Sequence, residues 1–305
     1  MPQAHEVKIK VHYVGLNFPD LLVIQGKDQY RPALPFSPCG EMSGEVIAVG
    51  KDVTEFDIGD RVFAGGMVWG CSKSEVCVPQ QNVYQVPEEM PLQEAAVLPC
   101  VFGTAIHCLK DRARLKPGET VAILGAAGGV GLATIQVAKM LRARVIACAS
   151  TQQKRDFCLQ HGADVVVDYT NCDLKQELKR LTDGQGVDVV CDPVGSQYSE
   201  PALRAIAYEG RYMVLGFTGG QIARIPLNLP LLKTAQVIGV FWSTFGRKFP
   251  LENRKNIHQV LEWYKAGNIQ VHVDASYPFK DLPAAFHTLE SRTVKGKIIL
   301  DLVAQ

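Results

Sequence analysis

The stretch that decides the fold reads Val121-Ala122-Ile123-Leu124-Gly125-Ala126-Ala127-Gly128-Gly129-Val130-Gly131. An apolar run of strand length enters a glycine cluster, and a segment with helical periodicity follows at residues 130–141. Glycines let a backbone turn tightly and approach a phosphate, and the N–H groups at a helix start attract anions. The pattern therefore predicts the pyrophosphate site of a dinucleotide-binding domain, with a purely structural turn as the alternative.

The end of the next predicted strand indicates which dinucleotide is bound. An acidic residue about 20 positions after the motif would bind a ribose 2′-hydroxyl. Ser150 stands 19 residues after Gly131, and no carboxylate follows until Asp156. Lys154 and Arg155 instead offer positive charge for a 2′-phosphate. The segment therefore predicts NADPH, while an ordinary solvated lysine is the alternative for Lys154.

Apolar strands alternate with helices from about residue 101 to residue 240, which predicts a parallel sheet with right-handed crossovers. The strands are apolar throughout, as expected when helices cover both faces. The predicted strands are Thr120–Leu124, 144–149, Val165–Val167, 187–191 and 212–215, and the predicted helices are 130–141, 154–161 and 174–181.

The segments on either side of this region have different patterns of apolar and polar residues. Residues 7–14 alternate apolar and polar side chains, and residues 45–50 and 61–64 are further short strands. After the central region, helices at 252–266 and 282–291 surround a short strand at 270–273, and the chain closes with a strand at 297–302. These patterns predict an α/β fold class, in which a doubly wound region at 101–240 lies between flanks at 1–100 and 241–305.

Composition excludes several classes of protein. The 305 residues are 47% hydrophobic and 21% charged, which is typical of a globular protein of about two domains. Lys plus Arg number 32 and Asp plus Glu 31, so the net charge of +1 provides no general attraction to nucleic acids or anionic membranes. The uncharged residues 120–138 are long enough for a membrane span, but their glycine cluster predicts a strand and a helix instead.

Cysteine and histidine usage bears on compartment and chemistry. The nine cysteines include no C-x-x-C pair and predict reduced, mostly buried thiols of the cytoplasm or the mitochondrial matrix. The seven histidines are scattered, and none pairs with a cysteine at zinc-ligand spacing. No G-x-S-x-G motif is present, so a hydrolase has no candidate nucleophile, and buried structural thiols are the favoured interpretation of Cys39 and Cys100.

Four further motifs, together with the glycine stretch, resemble a known family. They are Gly15-Leu16-Asn17-Phe18-Pro19-Asp20, Pro38-Cys39-Gly40-Glu41-Met42-Ser43-Gly44, Gly59-Asp60-Arg61-Val62, and Gly118-Glu119 followed after the glycines by Gln136 and Lys139. Over essentially its whole length the chain resembles the medium-chain dehydrogenase/reductase superfamily, in its zinc-free quinone oxidoreductase (zeta-crystallin) branch. The resemblance implies a β-rich, GroES-like catalytic domain assembled from residues 1–100 and 241–305, and a Rossmann dinucleotide-binding domain at residues 101–240.

The resemblance also implies that no zinc is bound. Zinc-dependent relatives place a cysteine where this chain has Asn17 and a histidine where it has Gly40. Cys100 falls at the position of the third ligand. One possible ligand of three cannot hold a catalytic zinc.

The resemblance implies a role for each site residue. Asn17 would bind near the nicotinamide ribose or the substrate oxygen, Asp20 would support that loop, and Tyr30 would line the substrate cleft. Plain core packing is the alternative for Tyr30 and for Phe241. The implied cofactor residues are Thr104, Gly125, Ala127, Gly128, Gly129, Val130, Gly131, Ser150, Thr151, Lys154, Tyr169, Val194, Gly216, Phe217, Thr218, Phe241, Arg292 and Lys297.

The chain departs from the family pattern in four places. Cys39 replaces a glycine, which is expected to strain its turn, and Ala122 replaces a leucine. Ile106 stands where many relatives carry a tyrosine, which excludes a tyrosine proton donor at that position. The family's opening β-hairpin is missing, so the strand at residues 7–14 is expected to lack a neighbour.

Together these features predict an NADPH-dependent oxidoreductase that passes hydride to a quinone or an activated alkene. An enoyl or alkenal reductase is one alternative, and an NADPH-binding protein with a structural or RNA-binding role is another. A homodimer is predicted through the apolar edge strand at residues 237–242. The other expected partner is a small-molecule quinone or enone, with no membrane and no nucleic acid.

Overall fold

The computed structural model describes residues 1–66 and 69–303. The chain divides into two compact units, of which one joins Met1–Gly103 to Trp242–Gln305 and the other is Thr104–Phe241. Each unit has its own cluster of buried apolar side chains. We call them the discontinuous unit and the central unit.

Short strands and helices follow one another along the chain. The strands are β1 (Glu6–Gly15), β2 (Glu41–Val49), β3 (Arg61–Gly65), β4 (Glu75–Pro79), β5 (Val83–Gln85), β6 (Thr120–Leu124), β7 (Arg144–Cys148), β8 (Val165–Val167), β9 (Val187–Asp192), β10 (Ile206–Val214), β11 (Gln236–Gly239), β12 (Val273–Pro278) and β13 (Lys297–Asp301). The helices are α1 (Phe18–Ile24), α2 (Leu92–Ala95), α3 (Leu98–Ile106), α4 (Gly129–Met140), α5 (Gln152–Gln160), α6 (Leu174–Arg180), α7 (Ser199–Arg204), α8 (Asn228–Lys233), α9 (Trp242–Lys248), α10 (Pro250–Lys265) and α11 (Leu282–Glu290). A π-helical segment, His107–Arg112, continues α3.

The central unit contains the predicted parallel sheet. Its strand order in the described residues is β11-β10-β9-β6-β7-β8, and every neighbouring pair is parallel. After their first residue, β6 and β7 are buried at every position, as expected for strands covered on both faces. The order reverses direction at β6, so the carboxyl end of β6 is the topological switch point where such folds bind ligands. The α/β fold class is confirmed.

The discontinuous unit contains a mixed sheet with the order β12-β13-β1-β2-β3-β5, and β4 also pairs with β1. The expectation that the first strand lacks a neighbour is wrong. β1 pairs with β2 along one side, and on the other side with β4 at Glu6 to Lys10 and with β13 at Tyr13 to Gly15. Strand β4 alternates exposed and buried residues, and its pairing covers the first half of β1.

Two predicted strands lie at different residues from those expected. The strand expected at 270–273 is β12 (Val273–Pro278), whose partly buried Val273, Ala275 and Tyr277 alternate with other residues of the strand. The edge strand expected at 237–242 is β11 (Gln236–Gly239), which does lie at the edge of the parallel sheet. Its predicted last residue, Trp242, instead begins α9.

The stretch that has the length of a membrane span forms β6, the glycine turn and α4. Among the helices of the described residues, none combines the length and the apolar character needed to cross a bilayer.

Candidate active site

The turn between β6 and α4 has the geometry that its glycines predict. Gly125 has a φ of +58°, in the left-handed region that favours glycine. Gly131 packs so closely on this turn that a Cβ there would lie 2.5 Å from the Gly125 carbonyl oxygen and 2.6 Å from the Ala126 Cα. Gly125 therefore allows the tight turn, and Gly131 allows the helix to approach it closely.

The N-terminus of α4 fits a phosphate group. The carbonyl of Gly128 accepts from the Leu132 N–H at 2.8 Å, so the N–H groups of Gly129, Val130 and Gly131 precede the first bond of the helix. A Cβ on Gly128 would meet only the Gly125 carbonyl, at 3.5 Å. That space is open to a ligand, and the helix dipole favours negative charge in it. Ala127, also in the turn, is buried.

The segment after β7 contains Thr151 and the two cations Lys154 and Arg155. Thr151 caps α5 by accepting a hydrogen bond from the Lys154 N–H at 3.3 Å. Arg155 pairs with Asp168 at 2.8 Å. Hydrogen bonding from the Thr170 hydroxyl, with a smaller contribution from Arg155, lowers the pKa of Asp168 to about 2. Arg155 therefore has a structural role in this segment, and the contact of Lys154 with a 2′-phosphate stays a prediction.

Arg155 also orders the backbone at the end of β7. Its guanidinium donates to the Ser150 carbonyl at 3.2 Å and to the Ala149 carbonyl at 3.4 Å. Ser150 is half-buried at this strand end. Tyr169, which follows β8, packs against Tyr198 with ring centroids 4.4 Å apart. The structure thus places Ser150, Thr151 and Lys154 in one segment and Tyr169 after the neighbouring strand.

A buried carboxylate organises the loop after β9. Asp192 accepts hydrogen bonds from the Val194 N–H at 2.8 Å, the Gly195 N–H at 2.7 Å and the Ser199 hydroxyl at 2.6 Å. The Tyr212 hydroxyl donates to the same carboxylate. Burial, reinforced by Asp192, raises the pKa of Tyr212. Sequence reasoning missed Asp192, whose signal is a carboxylate closing an apolar strand.

The predicted residues at the neighbouring strand ends adjoin this loop. Val194 is buried, and its Cγ2 would lie 2.8 Å from a Cβ on Gly125. Thr218 donates through its hydroxyl to the Pro193 carbonyl at 2.9 Å, which ties the loop after β10 to the loop after β9. Gly216 is half-buried and Phe217 is 36% exposed. The structure therefore brings these residues to the carboxyl edge of the sheet at β6.

Three further predicted cofactor residues belong to other elements. Thr104 is half-buried within α3. Phe241 is 67% exposed after β11, which excludes core packing as its role within the central unit. Arg292 is exposed after α11.

In the discontinuous unit, Asn17, Glu41 and Lys297 form a group that we call the polar cluster. The side-chain amide of Asn17 donates through Nδ2 to Glu41 Oε1 at 2.8 Å and accepts at Oδ1 from Lys297 Nζ at 2.6 Å. Lys297 Nζ also lies 2.8 Å from Glu41 Oε1 and donates to the Leu16 carbonyl at 2.6 Å. Glu41 and Lys297 are buried, and Asn17 is half-buried.

Glu41 has both carboxylate oxygens occupied. Its Oε2 accepts from the Cys100 N–H at 3.0 Å. On the other side, a Cβ on Gly15 would lie 2.4 Å from Oε1, so β1 approaches the carboxylate closely. The P-C-G-E motif contains Glu41, but sequence reasoning gave this residue no role in the site.

Asp20 stands beside the polar cluster. Its Oδ2 accepts a hydrogen bond from the Asn17 backbone N–H at 2.7 Å, which fixes the start of α1. Burial raises the pKa of Asp20 from 3.8 to about 7, although the Asn17 hydrogen bond and the charge of Lys297 oppose the shift. The predicted supporting role of Asp20 agrees with this contact.

Tyr30 is not a core residue. It is 43% exposed and stacks on Trp69, with ring centroids 4.7 Å apart. The loops that carry the two rings are joined at Cys39, whose carbonyl accepts from the Gly70 and Cys71 N–H groups at 3.0 and 3.1 Å. Sequence reasoning missed Trp69, since no local pattern marks it.

Cys39 has the strained backbone that the sequence predicts. Its φ is +71°, in the left-handed region where a non-glycine residue is uncommon, and its side chain is fully buried. Burial also raises the pKa of this thiol well above its ordinary range. Cys39 is therefore a neutral packing residue with a strained backbone.

The residues at the zinc positions of relatives do not fit a catalytic zinc. Asn17 and Gly40 supply no imidazole or thiolate. Burial, with the nearby Glu41, raises the pKa of the Cys100 thiol, which disfavours the thiolate that a metal requires. Glu41 is bonded to the Lys297 ammonium instead. No cluster of three or more His, Cys, Asp or Glu side chains suited to a metal occurs in the part of the chain that the structure describes.

Two family models match the chain. The model of the alcohol dehydrogenase GroES-like domain matches residues 3–130, and that of the zinc-binding dehydrogenase matches residues 129–266. Quinone oxidoreductase-like protein 2 of Bos taurus is 41% identical over 98% of this chain and 86% of its own length.

Two solved structures extend the comparison. Escherichia coli quinone oxidoreductase complexed with NADPH has a TM-score of 0.91 and 29% identity, covering 98% of this chain and 92% of that one. The enoyl reductase CurK has a TM-score of 0.89 and 26% identity, covering 99% and 92%. The chain belongs to the medium-chain dehydrogenase/reductase superfamily, in its quinone oxidoreductase branch.

Proposed function

We propose that the protein is an NADPH-dependent oxidoreductase that reduces a quinone or an activated alkene without a resident metal. The observation that carries the proposal is the anion site at the N-terminus of α4. Its free N–H groups and the open space at Gly128 suit a pyrophosphate. The NADPH complex of the Escherichia coli relative supports the same assignment.

NADPH is proposed over NADH because the segment after β7 offers hydroxyls and a cation. Ser150, Thr151 and Lys154 would bind the 2′-phosphate, and Asp168, the carboxylate that follows the neighbouring strand, is neutralised by Arg155. The charge of Asp168 is therefore compensated by Arg155, so Asp168 would not repel the 2′-phosphate. The central unit binds the cofactor under this proposal.

Bound NADPH supplies the hydride. The chain's own task is then to bind the acceptor and to stabilise the negative charge that develops on its oxygen. A quinone spreads that charge over its ring, so a hydrogen-bond donor such as the Asn17 amide is sufficient without a Lewis acid. Solvent provides the proton, in agreement with the buried Ile106 at the position of a family tyrosine.

The exposed ring pair Tyr30 and Trp69 favours a planar acceptor. Aromatic faces bind flat conjugated rings by offset stacking, and both rings are more than a third exposed. A quinone uses such a face more fully than a straight-chain enone does. An enoyl or alkenal reductase is the second candidate, and the similarity to the CurK enoyl reductase favours it.

Turnover of an acceptor panel tests the proposal. NADPH oxidation is followed with a naphthoquinone, a benzoquinone, an alkenal and a 2-enoyl thioester. We expect the highest kcat/KM for the quinones and a preference for NADPH over NADH of about tenfold or more, the value of one charge-assisted bond. Preference for the thioester selects the second candidate. Tight NADPH binding without turnover of any acceptor contradicts an enzymatic role and favours a structural or RNA-binding one.

We also propose a homodimer formed along β11. This strand lies at the sheet edge, and Val237 is 47% exposed there. An apolar edge is stabilised when a second copy pairs with it across a two-fold axis. Light scattering is expected to give about twice the 33.4 kDa chain mass, and a charge at this edge, as in Val237→Lys, is expected to weaken the dimer. A monomeric wild type contradicts the proposal.

A further inference from the structure

We propose that Lys297 and Glu41 are positioning residues for the reaction. They fix the orientation of the Asn17 amide and strengthen it as the hydrogen-bond donor to the acceptor oxygen. This inference rests on the proposed reductase function and gives the polar cluster its task. It replaces the expectation that Lys297 contacts the cofactor.

The hydrogen bonds of Lys297 leave no donor for a cofactor. An ammonium group has three N–H donors. Lys297 Nζ has three acceptors within 2.8 Å, namely the Leu16 carbonyl, Asn17 Oδ1 and Glu41 Oε1. The residue is only 5% exposed. A phosphate or ribose could bind Lys297 only by displacing one of these buried partners.

The two charges fix which way the Asn17 amide is turned. An ammonium must face an acceptor, so the amide oxygen lies at Lys297. A carboxylate must face a donor, so the amide nitrogen lies at Glu41. Turning the amide over would place NH₂ against the ammonium and oxygen against the carboxylate, which loses both bonds at once.

The same contacts polarise the amide. A cation at Oδ1 and an anion at one Nδ2 hydrogen act in a poorly hydrated site, where hydrogen bonds strengthen one another. One Nδ2 hydrogen serves Glu41, and the second has no partner in residues 1–66 and 69–303. That second hydrogen is the donor that we assign to the acceptor oxygen.

Stability alone does not account for the buried pair. Taking two charges out of water is unfavourable, and well-packed apolar residues often replace such a pair without loss of stability. Glu41 and Lys297 are both nearly inaccessible. The position of these two charges beside the half-buried Asn17 amide is explained if that amide binds a ligand.

A double-mutant cycle between Lys297 and Asn17 tests the inference. Lys297→Met, Asn17→Ala and the combined variant are compared for quinone turnover and for NADPH binding. In the wild-type background we expect Lys297→Met to lower kcat by about 10- to 100-fold, as for residues that orient a functional group. In the Asn17→Ala background the same change is expected to alter kcat by less than about twofold, because the amide it acts through is gone.

Two controls separate positioning from folding. Lys8→Met removes a lysine from the same unit, where Lys8 pairs with the exposed Glu75 at 2.5 Å, and is expected to leave kcat unchanged. If Lys297→Met does not fold, the charge-balanced Glu41→Gln/Lys297→Met variant takes its place in the cycle, since it leaves no unpaired buried charge. The affinity for NADPH is expected to stay within about twofold of wild type in each folded variant.

The outcomes are distinct. Wild-type enzyme that turns over no acceptor overturns the proposed function and this inference with it. An active wild type with an unaffected Lys297→Met variant, or with equal losses in both Asn17 backgrounds, overturns the positioning role alone. A loss of NADPH affinity as large as the loss of kcat would return Lys297 to a cofactor role.

Discussion

The glycine turn of residues 125–131 would bind its ligand through backbone groups, whereas the polar cluster of Asn17, Glu41 and Lys297 would act through side-chain groups. The turn offers backbone N–H groups and empty space, and its shape depends on the absence of side chains at Gly125 and Gly131. The polar cluster offers side-chain groups that are held by buried charges.

This contrast determines how each region can fail. A site made of backbone groups tolerates most substitutions at neighbouring positions. It fails when a new Cβ occupies space that a ligand or another backbone segment needs. A side-chain site depends on each of its members, because removing one leaves another buried group without a partner. Substitutions in the two regions are therefore expected to separate cofactor binding from acceptor turnover.

The largest expected effect on turnover comes from the polar cluster. Asn17→Ala removes the proposed donor and is expected to lower kcat by about 10²-fold, the lower end for one preorganised donor. NADPH affinity is expected to stay near the wild-type value. Steady-state kinetics and a fluorescence titration measure the two quantities, and an equal loss in both would remove the distinction between the regions.

The second prediction compares two carboxylates with opposite shifts. The pKa of Asp20 is raised from 3.8 to about 7 by burial, so its stabilising contribution is complete below pH 3.8 and disappears as the pH rises through about 7. As the pH rises from 3.8 to about 7, the free energy of unfolding of Asp20→Asn is therefore expected to increase relative to that of the wild type. The difference reaches up to about 4 kcal/mol, at 1.36 kcal/mol per pKa unit.

Asp168 supplies the control in the central unit. Its pKa is lowered from 3.8 to about 2, mainly by the Thr170 hydroxyl, so it stabilises the fold above pH 3.8 and loses that contribution as the pH falls toward 2. Asp168→Asn is expected to show a smaller effect of the opposite sign, because the Asp168 side chain is 27% exposed and water screens its charge. Urea unfolding from acid to neutral pH measures both, and parallel profiles would contradict the assignment.

The third prediction uses two glycines of the turn. Gly131→Ala places a Cβ 2.5 Å from a backbone oxygen and is expected to destabilise the central unit by about 1–3 kcal/mol. Gly128→Ala meets nothing closer than 3.5 Å, so stability is expected to hold while NADPH affinity falls by roughly tenfold. Thermal unfolding and NADPH titration give the two readings, and a Gly128→Ala variant with unchanged affinity would place the phosphates elsewhere.

The fourth prediction concerns the neighbouring cation. Lys154→Ala is expected to weaken NADPH binding by about tenfold and to leave NADH binding unchanged, since only NADPH carries the 2′-phosphate. Arg155→Ala is the comparison, and it is expected to cost stability through the loss of the Asp168 pair. Equal weakening of both cofactors by Lys154→Ala would argue against a 2′-phosphate contact.

The smallest expected effect lies at the exposed rings. Trp69→Leu is expected to raise KM for a naphthoquinone by roughly three- to tenfold, as for one stacking contact, with little change for a straight-chain enone. Tyr30→Leu should have the same selectivity, because the two rings form one stacked pair. A similar rise in KM for both acceptors would show that the pair shapes the loops without contacting the ring.

The glycine turn can be predicted from the sequence because everything it needs is local. Strand, turn and helix are consecutive, and Thr120–Leu124 has the boundaries that periodicity predicts. Lys154 and Arg155 are equally good candidates by charge alone. The ion pair of Arg155 with Asp168 depends on the pairing of β7 with β8, which local patterns do not give.

The polar cluster cannot be predicted in the same way. Asn17 and Lys297 are separated by 280 residues, and they meet because β13 pairs with the end of β1. That register cannot be derived from local patterns. The error about β1 has the same origin, since β4 (Glu75–Pro79) has a recognisable alternation but its partner is set by the tertiary fold.

The division of labour between the two regions is tested most sharply by NADPH affinity and quinone kcat, determined side by side for wild type, Gly128→Ala and Asn17→Ala. We expect Gly128→Ala to lose affinity for NADPH but to retain kcat at saturating cofactor, whereas Asn17→Ala retains affinity and loses kcat. Loss of both quantities to the same degree in both variants would show that the two regions do not have separate tasks.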